Sequence, residues 1–156
     1  MKAEHAERPD KGDQRSLALW AADCAEHVLP YFEEKYPSDE RPRKAIEATR
    51  AWTRGEMRVG AVRAAAVAAH AAARDADEDA ARAAARAAGQ AAGTAHMAGH
   101  ARHAAAYALK AVTYAAVPAE AAVATTKEGD WQYRRLPQDL RPLVFPAGGP
   151  SIGRLL

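Results

Sequence analysis

Cysteine is nearly absent from this sequence, because Cys24 is the single cysteine among 156 residues. A lone thiol excludes an intrachain disulfide and a zinc site built from cysteines. Long runs of large apolar residues are also lacking, since arginine, histidine and aspartate interrupt the alanine-rich stretches. No stretch provides the ~18 apolar residues of a membrane-spanning helix, and residues 1–14 lack the apolar segment of a signal peptide. We therefore expect a cytoplasmic protein without a membrane partner.

An excess of charge of one sign is lacking too. The formal net charge is +2, and the basic residues are spread along the whole chain. Such a weak balance does not indicate a nucleic-acid partner. Arg43, Arg50 and Arg54 share one face of a predicted helix, but no aromatic residues interleave with them as in a typical single-strand binding surface. Nucleic acid is therefore the least favoured partner.

Alanine is what the sequence has in abundance, and it makes up about half of residues 57–116. Alanine is the best helix former, so this region is predicted to be helical. Its side chain offers little apolar area, which means that burial must come from closely approaching helices. Gly89 and Gly93 are four residues apart, and we expect them to let two helix axes approach near the lower end of the ~8–10 Å range.

Apolar periodicity, prolines and capping residues predict an all-α fold with five main helices. Their expected positions are from Ser16 to Pro37 with a division at Pro30, from Arg41 to Gly55, from Glu56 to Arg74, from the acidic break at 75–79 to Gly93, and from Thr94 to Val117. Thr94 is the expected N-cap of the fifth helix. Pro118 begins a short last helical piece that ends near Thr126.

The same signals divide the chain into three parts. Residues 1–14 are expected to be a disordered leader, residues 15–126 an alanine-rich helical bundle, and residues 127–156 a proline-rich C-terminal tail. The tail has too many prolines and glycines for one long helix, so we expect it to wrap the bundle. Its predicted anchors are Trp131, Leu136, Leu140 and Phe145.

One stripe of polar and aromatic residues stands out within the alanines. His96, His100, His103 and Tyr107 follow at spacings of four, three and four, which places them on one face of a single helix. Lys110 and Tyr114 continue the stripe. The interpretation that we favour is a semi-buried seam or pocket wall, and the alternative is a set of ordinary amphipathic positions partly covered by the tail. The candidate binding residues are Asp23, His70, His96, His100, His103 and Tyr107.

A metal site would need more than this stripe. His96 and His103 are separated by ~10.5 Å of helix rise, so one ion cannot bind all three histidines. Asp23, Glu26, His27 or His70 would have to complete the ligand set from other helices. Histidines hydrogen-bonded within a helical core are the better explanation, and we expect neither a metal nor a cofactor.

Acid–base catalysis is the second chemical hypothesis. Asp23 and His27 are four residues apart on the first helix, as in a carboxylate-oriented general base, but this is also the spacing of a routine surface pair. Cys24 lies on the apolar face of that helix and is expected to be buried and inert. The sequence has no glycine-rich phosphate loop, nucleophile elbow or zinc-protease spacing. The balance is against an enzyme, and no catalytic residue is assigned.

Several segments resemble a family of bacterial proteins called putative immunity proteins, in an immunity-family-five-like group of polymorphic toxin systems. The resemblance is carried by residues 17–26, by residues 41–48 with Ala51-Trp52, by the alanine-rich helices around His70, His96 and His100, and by Trp131-Gln132 with Arg135-Leu136-Pro137. It covers the chain from about Leu17 to Leu140. The resemblance implies an all-helical protein that binds and neutralises a cognate toxin, and it brings no catalytic residue set with it.

Two function classes therefore remain open. The first is an immunity protein whose partner is a cognate toxin. The second is a small-molecule-binding pocket protein or small acid–base enzyme, of resistance or secondary metabolism, that uses the histidine and tyrosine stripe. A second copy of the chain is a further partner left open. A neighbouring toxin gene would favour the first class, and a biosynthetic cluster would favour the second.

Overall fold

Helices form most of the computed structural model, which describes residues 9–146 and 148–150. This part of the chain is all-α and has no strand, as the sequence predicts. The α-helices are Lys11–Val28 (α1), Pro30–Glu33 (α2), Arg41–Thr53 (α3), Val59–Asp75 (α4), Asp79–Gly93 (α5), His100–Ala115 (α6), Ala121–Arg135 (α7) and Arg141–Val144 (α8). Two 3-10 turns, Pro118–Glu120 and Gln138–Leu140, precede α7 and α8. None of the helices in the described ranges is long and apolar enough to cross a bilayer.

The helix α5 lies at the centre of the bundle and contacts α1, α3, α4 and α6. Its ten buried residues are all alanine or glycine. Alanine side chains extend only one carbon from the backbone, so several helices can surround α5 at short distance. The alanine-rich sequence thus provides a thin central helix rather than a core of large side chains.

Larger side chains fill the end of the core where α1 meets α7. Trp20 is fully buried, and its indole Nε1 donates a hydrogen bond to the backbone oxygen of Gln132 at 2.8 Å. The Gln132 side chain is also buried and donates through Nε2 to the backbone oxygen of Ala105 at 2.9 Å. These two bonds join α1 to α7 and α7 to α6.

The first helix begins earlier than the sequence predicts. Asp10 caps α1 by accepting a hydrogen bond from the backbone N–H of Asp13, and the Asp13 side chain accepts in return from the backbone N–H of Asp10. This capping box lets the helix begin at Lys11 rather than near Ser16. Residues 11–14 of the expected leader are therefore helical, and residues 1–8 of it lie outside the described part. The predicted division at Pro30 is confirmed, since α1 ends at Val28 and Pro30 begins α2.

The break after Gly93 is present, but Thr94 does not cap the next helix. Its backbone has φ −61° and ψ −25°, whereas an N-cap residue has an extended backbone. The Thr94 hydroxyl instead donates to the backbone oxygen of Gln90 at 3.3 Å. Residues 94–99 form turns, and α6 begins only at His100. The prediction that His96 shares one helix with the rest of the stripe is therefore wrong.

The helix α7 continues past the predicted end at Thr126 and reaches Arg135. Gly129 is buried inside it and does not end the helix, despite the low helix propensity of glycine. The described part consequently has six long helices, not five, and the predicted boundary after residue 126 falls inside α7.

Residues that follow α7 also contribute to the core. Leu136, Leu140 and Phe145 are buried, and the Phe145 ring meets Trp20 edge-on with centroids 6.4 Å apart. Trp131 is partly buried and belongs to α7. The wrapping of the bundle by the whole tail stays a prediction, because residues 147 and 151–156 lie outside the described ranges.

Candidate functional site

His70 of α4 is half-buried against α5. A β-carbon on Gly89 would lie 2.7 Å from the Cε1 and Nε2 atoms of the His70 ring, so only glycine fits beneath it. Arg86 donates from Nη1 to His70 Nδ1 at 3.0 Å, which requires a neutral ring with its proton on Nε2. Burial lowers the pKa of His70, and the nearby Arg86 and Arg74 guanidinium groups lower it further.

His100 opens α6 and occupies the equivalent position one turn along α5. A β-carbon on Gly93 would lie 3.0 Å from its ring. His100 Nδ1 lies 2.7 Å from Gln90 Oε1, and the ring nitrogen donates to the amide oxygen. Burial lowers the pKa of His100, with smaller contributions from His96 and His103. A histidine ring therefore packs against each of Gly89 and Gly93. The sequence predicted only that these glycines let two helix axes approach closely.

His96 and His103 lie on either side of His100 and are exposed. Their ring centroids are 5.1 Å and 6.2 Å from that of His100. Partial desolvation of its ring, together with the positive charge of Arg63, lowers the pKa of His96. The structure thus brings four of the predicted site residues together, and we call them the histidine cluster: His70, His96, His100 and His103. Met97, beside it, is 59% exposed.

A groove between α5 and α6 continues from the histidine cluster. Its volume is about 230 Å³, and it is lined by Asp79, Arg82, Ala83, Arg86, Tyr107, Lys110 and Tyr114. We call it the α5–α6 groove. Lys110 Nζ lies 5.3 Å from the centroid of the Tyr107 ring. Arg86 belongs to both features, since it lines the groove and contacts His70.

The cations of α4, α5 and α6 have few acidic partners. Of the Arg and Lys residues on α4, α5 and α6, only Arg82 forms an ion pair within the described part of the chain, with Asp79 at 3.3 Å. The cations of α3, by contrast, are all paired. Arg41 pairs with Asp39 and Asp75, Arg43 with Glu33, Lys44 with Glu40, and Arg50 with Asp23 and Glu26. Of the cations left without an ion pair among the described residues, Arg86 and Lys110 lie together in the α5–α6 groove.

Asp23 does not join the histidine cluster. Arg50 Nη2 donates to one of its carboxylate oxygens at 2.9 Å, and Arg135 Nε donates to the other at 3.1 Å. Asp23 therefore links α1 to α3 and α7 rather than accepting from a histidine. His100 is hydrogen-bonded to Gln90 of α5 and not to Asp23.

The Asp23–His27 pair that was considered for acid–base chemistry forms no hydrogen bond in the described part of the chain. His27 Nδ1 lies 2.8 Å from Glu128 Oε2, and the His27 ring stacks on Trp131 with centroids 3.8 Å apart and planes 14° from parallel. Both carboxylate oxygens of Asp23 already accept hydrogen bonds from arginines, so Asp23 does not orient an imidazole.

Other chemistry finds little support in the geometry. Cys24 is fully buried, as predicted, and burial raises the pKa of its thiol. A protonated, inaccessible thiol is a poor nucleophile. Among residues 9–146 and 148–150, no three His, Cys, Asp or Glu side chains are grouped so that they could hold a metal ion. The arrangement is suited to binding through cations, aromatic rings and imidazoles.

The arginine face considered for nucleic acid is internally neutralised. Arg43 and Arg50 are paired as described above, and Arg54 Nη2 pairs with Glu56 at 2.9 Å. Cations already bound to carboxylates have less to gain from a phosphate backbone.

Comparison with known proteins decides the family. A family model described as "Imm-5 like putative immunity protein" matches residues 8–139, which is most of the chain. The chain belongs to this immunity-protein family. No curated protein and no solved structure matches it.

The match to the immunity-protein family includes α1 to α7 and all six predicted site residues. It confirms the resemblance drawn from the sequence between Leu17 and Leu140. The family description names a role in immunity and assigns no residue to it.

Three residues of the site were not identified from the sequence. Arg82, Arg86 and Gln90 follow at intervals of four on α5, and almost all of the remaining residues of this helix are alanine or glycine. That spacing puts them on one helix face and was available as a signal. What the spacing cannot show is that α4 and α6 flank this face.

Proposed function

We propose that this chain is an immunity protein that binds and neutralises a cognate bacterial toxin. Its binding face consists of the histidine cluster, Tyr107 and the α5–α6 groove. Membership of the immunity-protein family supports the role in toxin neutralisation. We further propose that the protein acts in the cytoplasm, where an immunity protein would meet a toxin before it does damage.

The main evidence for the position of the binding face is the set of cations on α4 to α6 that form no ion pair with another described residue. Arg86 and Lys110 lie beside two tyrosines without a carboxylate partner in the described ranges, while every cation of α3 is paired. Charges left unpaired in the free protein can steer an oppositely charged partner and fix its orientation. Arginine and tyrosine are also enriched among the residues that dominate interface energies.

The histidine cluster supports the same face. His96 and His103 are exposed, and Met97 and Tyr114 nearby are 59% and 54% exposed. His70 and His100 already have internal hydrogen-bond partners, so we assign them to shaping the face rather than contacting the toxin. Asp23 is bound by two arginines, and we assign it to stability.

The alternative of a small-molecule pocket or acid–base enzyme is less favoured by the dimensions of the groove. Its volume of about 230 Å³ is below the ~300–1,000 Å³ of common small-molecule sites. A side chain of a protein partner fits this space better than a metabolite does.

A growth assay tests the proposal. The genes neighbouring this one are first searched for a toxin domain, and a domain found there is expressed in bacteria with and without the chain, which should restore growth. His96→Ala and Tyr107→Phe should weaken the rescue while leaving the melting temperature nearly unchanged. If a folded, well-expressed chain never rescues growth and never binds the toxin, the proposed function is wrong. If it rescues growth equally with both substitutions, the binding face lies elsewhere.

A further inference from the structure

The α5–α6 groove combines positive charge with aromatic walls. Arg82, Arg86 and Lys110 line it together with Tyr107 and Tyr114. Its one acidic residue, Asp79, is 3.3 Å from Arg82 and offsets that cation. Arg86 and Lys110 remain as the two charges without a carboxylate partner in the part of the chain that the structure describes. The groove therefore has two cations that can bind an anionic group from another molecule.

Arg86 is held in position within the groove. Its Nη1 donates to His70 Nδ1, and His70 is seated on Gly89. In the described ranges, Nε and Nη2 of Arg86 make no hydrogen bond to the protein, so one edge of the guanidinium remains available. The spacing of these two donors matches the two oxygens of a carboxylate. Held by His70, Arg86 loses less side-chain freedom when it binds a ligand.

The size of the groove limits the kind of molecule that can bring an anionic group into it. A volume of about 230 Å³ is smaller than common metabolite sites and accommodates a side chain with its near neighbours. The flanking Tyr107 and Tyr114 rings can cover the methylene groups of such a side chain while the cations bind its charge.

From these observations we infer that the groove is an anchor pocket for an Asp or Glu side chain projecting from the toxin. Arg86 binds the carboxylate in a bidentate manner, and Lys110 supplies the second charge. The inference rests on the proposed function only in naming the toxin as the protein that carries this side chain. His70 acts as a positioning residue, because it touches Arg86 and not the carboxylate.

The first test measures the affinity of the full chain for the toxin that the growth assay identifies. Arg86→Gln and Lys110→Gln should each raise Kd about ten- to a hundredfold, as expected when a hydrogen bond to a charged group is lost. Lys127→Gln is the matched control, because Lys127 is an exposed lysine of α7 outside the groove. Tight binding by both groove variants would overturn the inference while leaving the proposed function intact.

The second test does not need the toxin. A blocked triglutamate peptide should shift the NMR signals of Lys110 and Tyr107 in the full chain, and a triglutamine peptide should not. The shifts should diminish with added salt and disappear in Arg86→Gln. Inorganic phosphate is the third probe. If phosphate binds as well as the triglutamate peptide, the groove is a general oxyanion site and the assignment to a carboxylate side chain is wrong.

The positioning role of His70 has its own readout. His70→Asn keeps a hydrogen-bond acceptor near the position of Nδ1, whereas His70→Leu removes it. The Asn variant should retain the affinity for the triglutamate peptide better than the Leu variant does. Equal affinities in two folded variants would show that His70 does not position Arg86.

Discussion

His70 and Gly89 are in direct contact, because the imidazole ring occupies the space that a β-carbon at residue 89 would need. The separation would be only 2.7 Å. By contrast, a β-carbon on Gly60 of α4 would meet nothing within 4 Å. Substituting each of these two helical glycines with alanine therefore tests whether the contact between His70 and Gly89 contributes to stability.

We expect Gly60→Ala to raise the free energy of unfolding by no more than about 0.5–1 kcal/mol, because alanine is the better helix former but Gly60 lies in the first turn of α4. Gly89→Ala brings at least that gain in propensity, since Gly89 lies inside α5, but it displaces His70 and breaks its bond to Arg86, so it should lower the free energy of unfolding. Urea denaturation measures both changes. Combining Gly89→Ala with His70→Ala should recover the gain in helix propensity. A stabilised Gly89→Ala single variant would show that the contact is unimportant.

The second prediction concerns the dependence of stability on pH. Burial, with nearby positive charge, lowers the pKa of His70, His96 and His100 in the folded protein. In the unfolded chain, histidines titrate near 6.5. The unfolded state therefore binds more protons, and the free energy of unfolding should fall as the pH drops from about 6.5 through the lower pKa values of the folded state.

Urea denaturation at pH 7.5, 6.5 and 5.5 measures this loss. The range avoids the carboxylates of Glu26, Glu33 and Asp39, because arginine partners lower their pKa values below the ordinary range and they titrate in more acidic solution. The double variant His70→Asn/His100→Asn should show a flatter dependence. Stability that rises between pH 6.5 and 5.5 in the unmodified chain would contradict the assignment.

The third prediction concerns Cys24. Its thiol is fully buried and its pKa is raised by burial, with smaller contributions from Glu128 and Asp23. A thiol reagent at pH 8 should therefore react with the native protein far more slowly than with the urea-unfolded chain. Equal labelling rates in the two states would mean that Cys24 is accessible.

The fourth prediction separates Asp23 from the binding face. Asp23→Asn weakens ion pairs with Arg50 and Arg135 that are partly exposed to solvent. Pairs of this kind contribute little, so the free energy of unfolding should fall by no more than about 1 kcal/mol. Affinity for the toxin should be unchanged within twofold. A large loss of affinity with unchanged stability would show that Asp23 belongs to the binding face.

Much of the helical framework could be predicted, because it depends on local signals. The apolar faces of α1 and α3, the division at Pro30 and the break at Gly93 all follow from periodicity and backbone restrictions. The boundaries were missed where a local signal had two meanings. Thr94 was assigned as the cap of α6 but ends α5, and the last helical piece was expected to end near Thr126 although α7 reaches Arg135.

The site was predictable only in part. The spacing of His100, His103 and Tyr107 placed them together on α6. The contact between His70 and Gly89 depends on how α4 lies against α5, which no spacing within one helix can reveal. Likewise, the absence of a carboxylate near Arg86 and Lys110 is a property of distances between helices, and it becomes visible only in the folded chain.

Hydroxyl-radical footprinting of the chain, alone and in complex with the toxin that the growth assay identifies, tests the binding face most directly. Met97 and Tyr114 are exposed at the proposed face, and the partly exposed Met57 and Tyr31 serve as matched controls of the same residue types elsewhere. We expect the oxidation of Met97 and Tyr114 to fall severalfold in the complex, because the toxin excludes solvent from the face, while the oxidation of Met57 and Tyr31 stays the same. Protection of Met57 and Tyr31, with Met97 and Tyr114 still fully reactive, would contradict the proposed face.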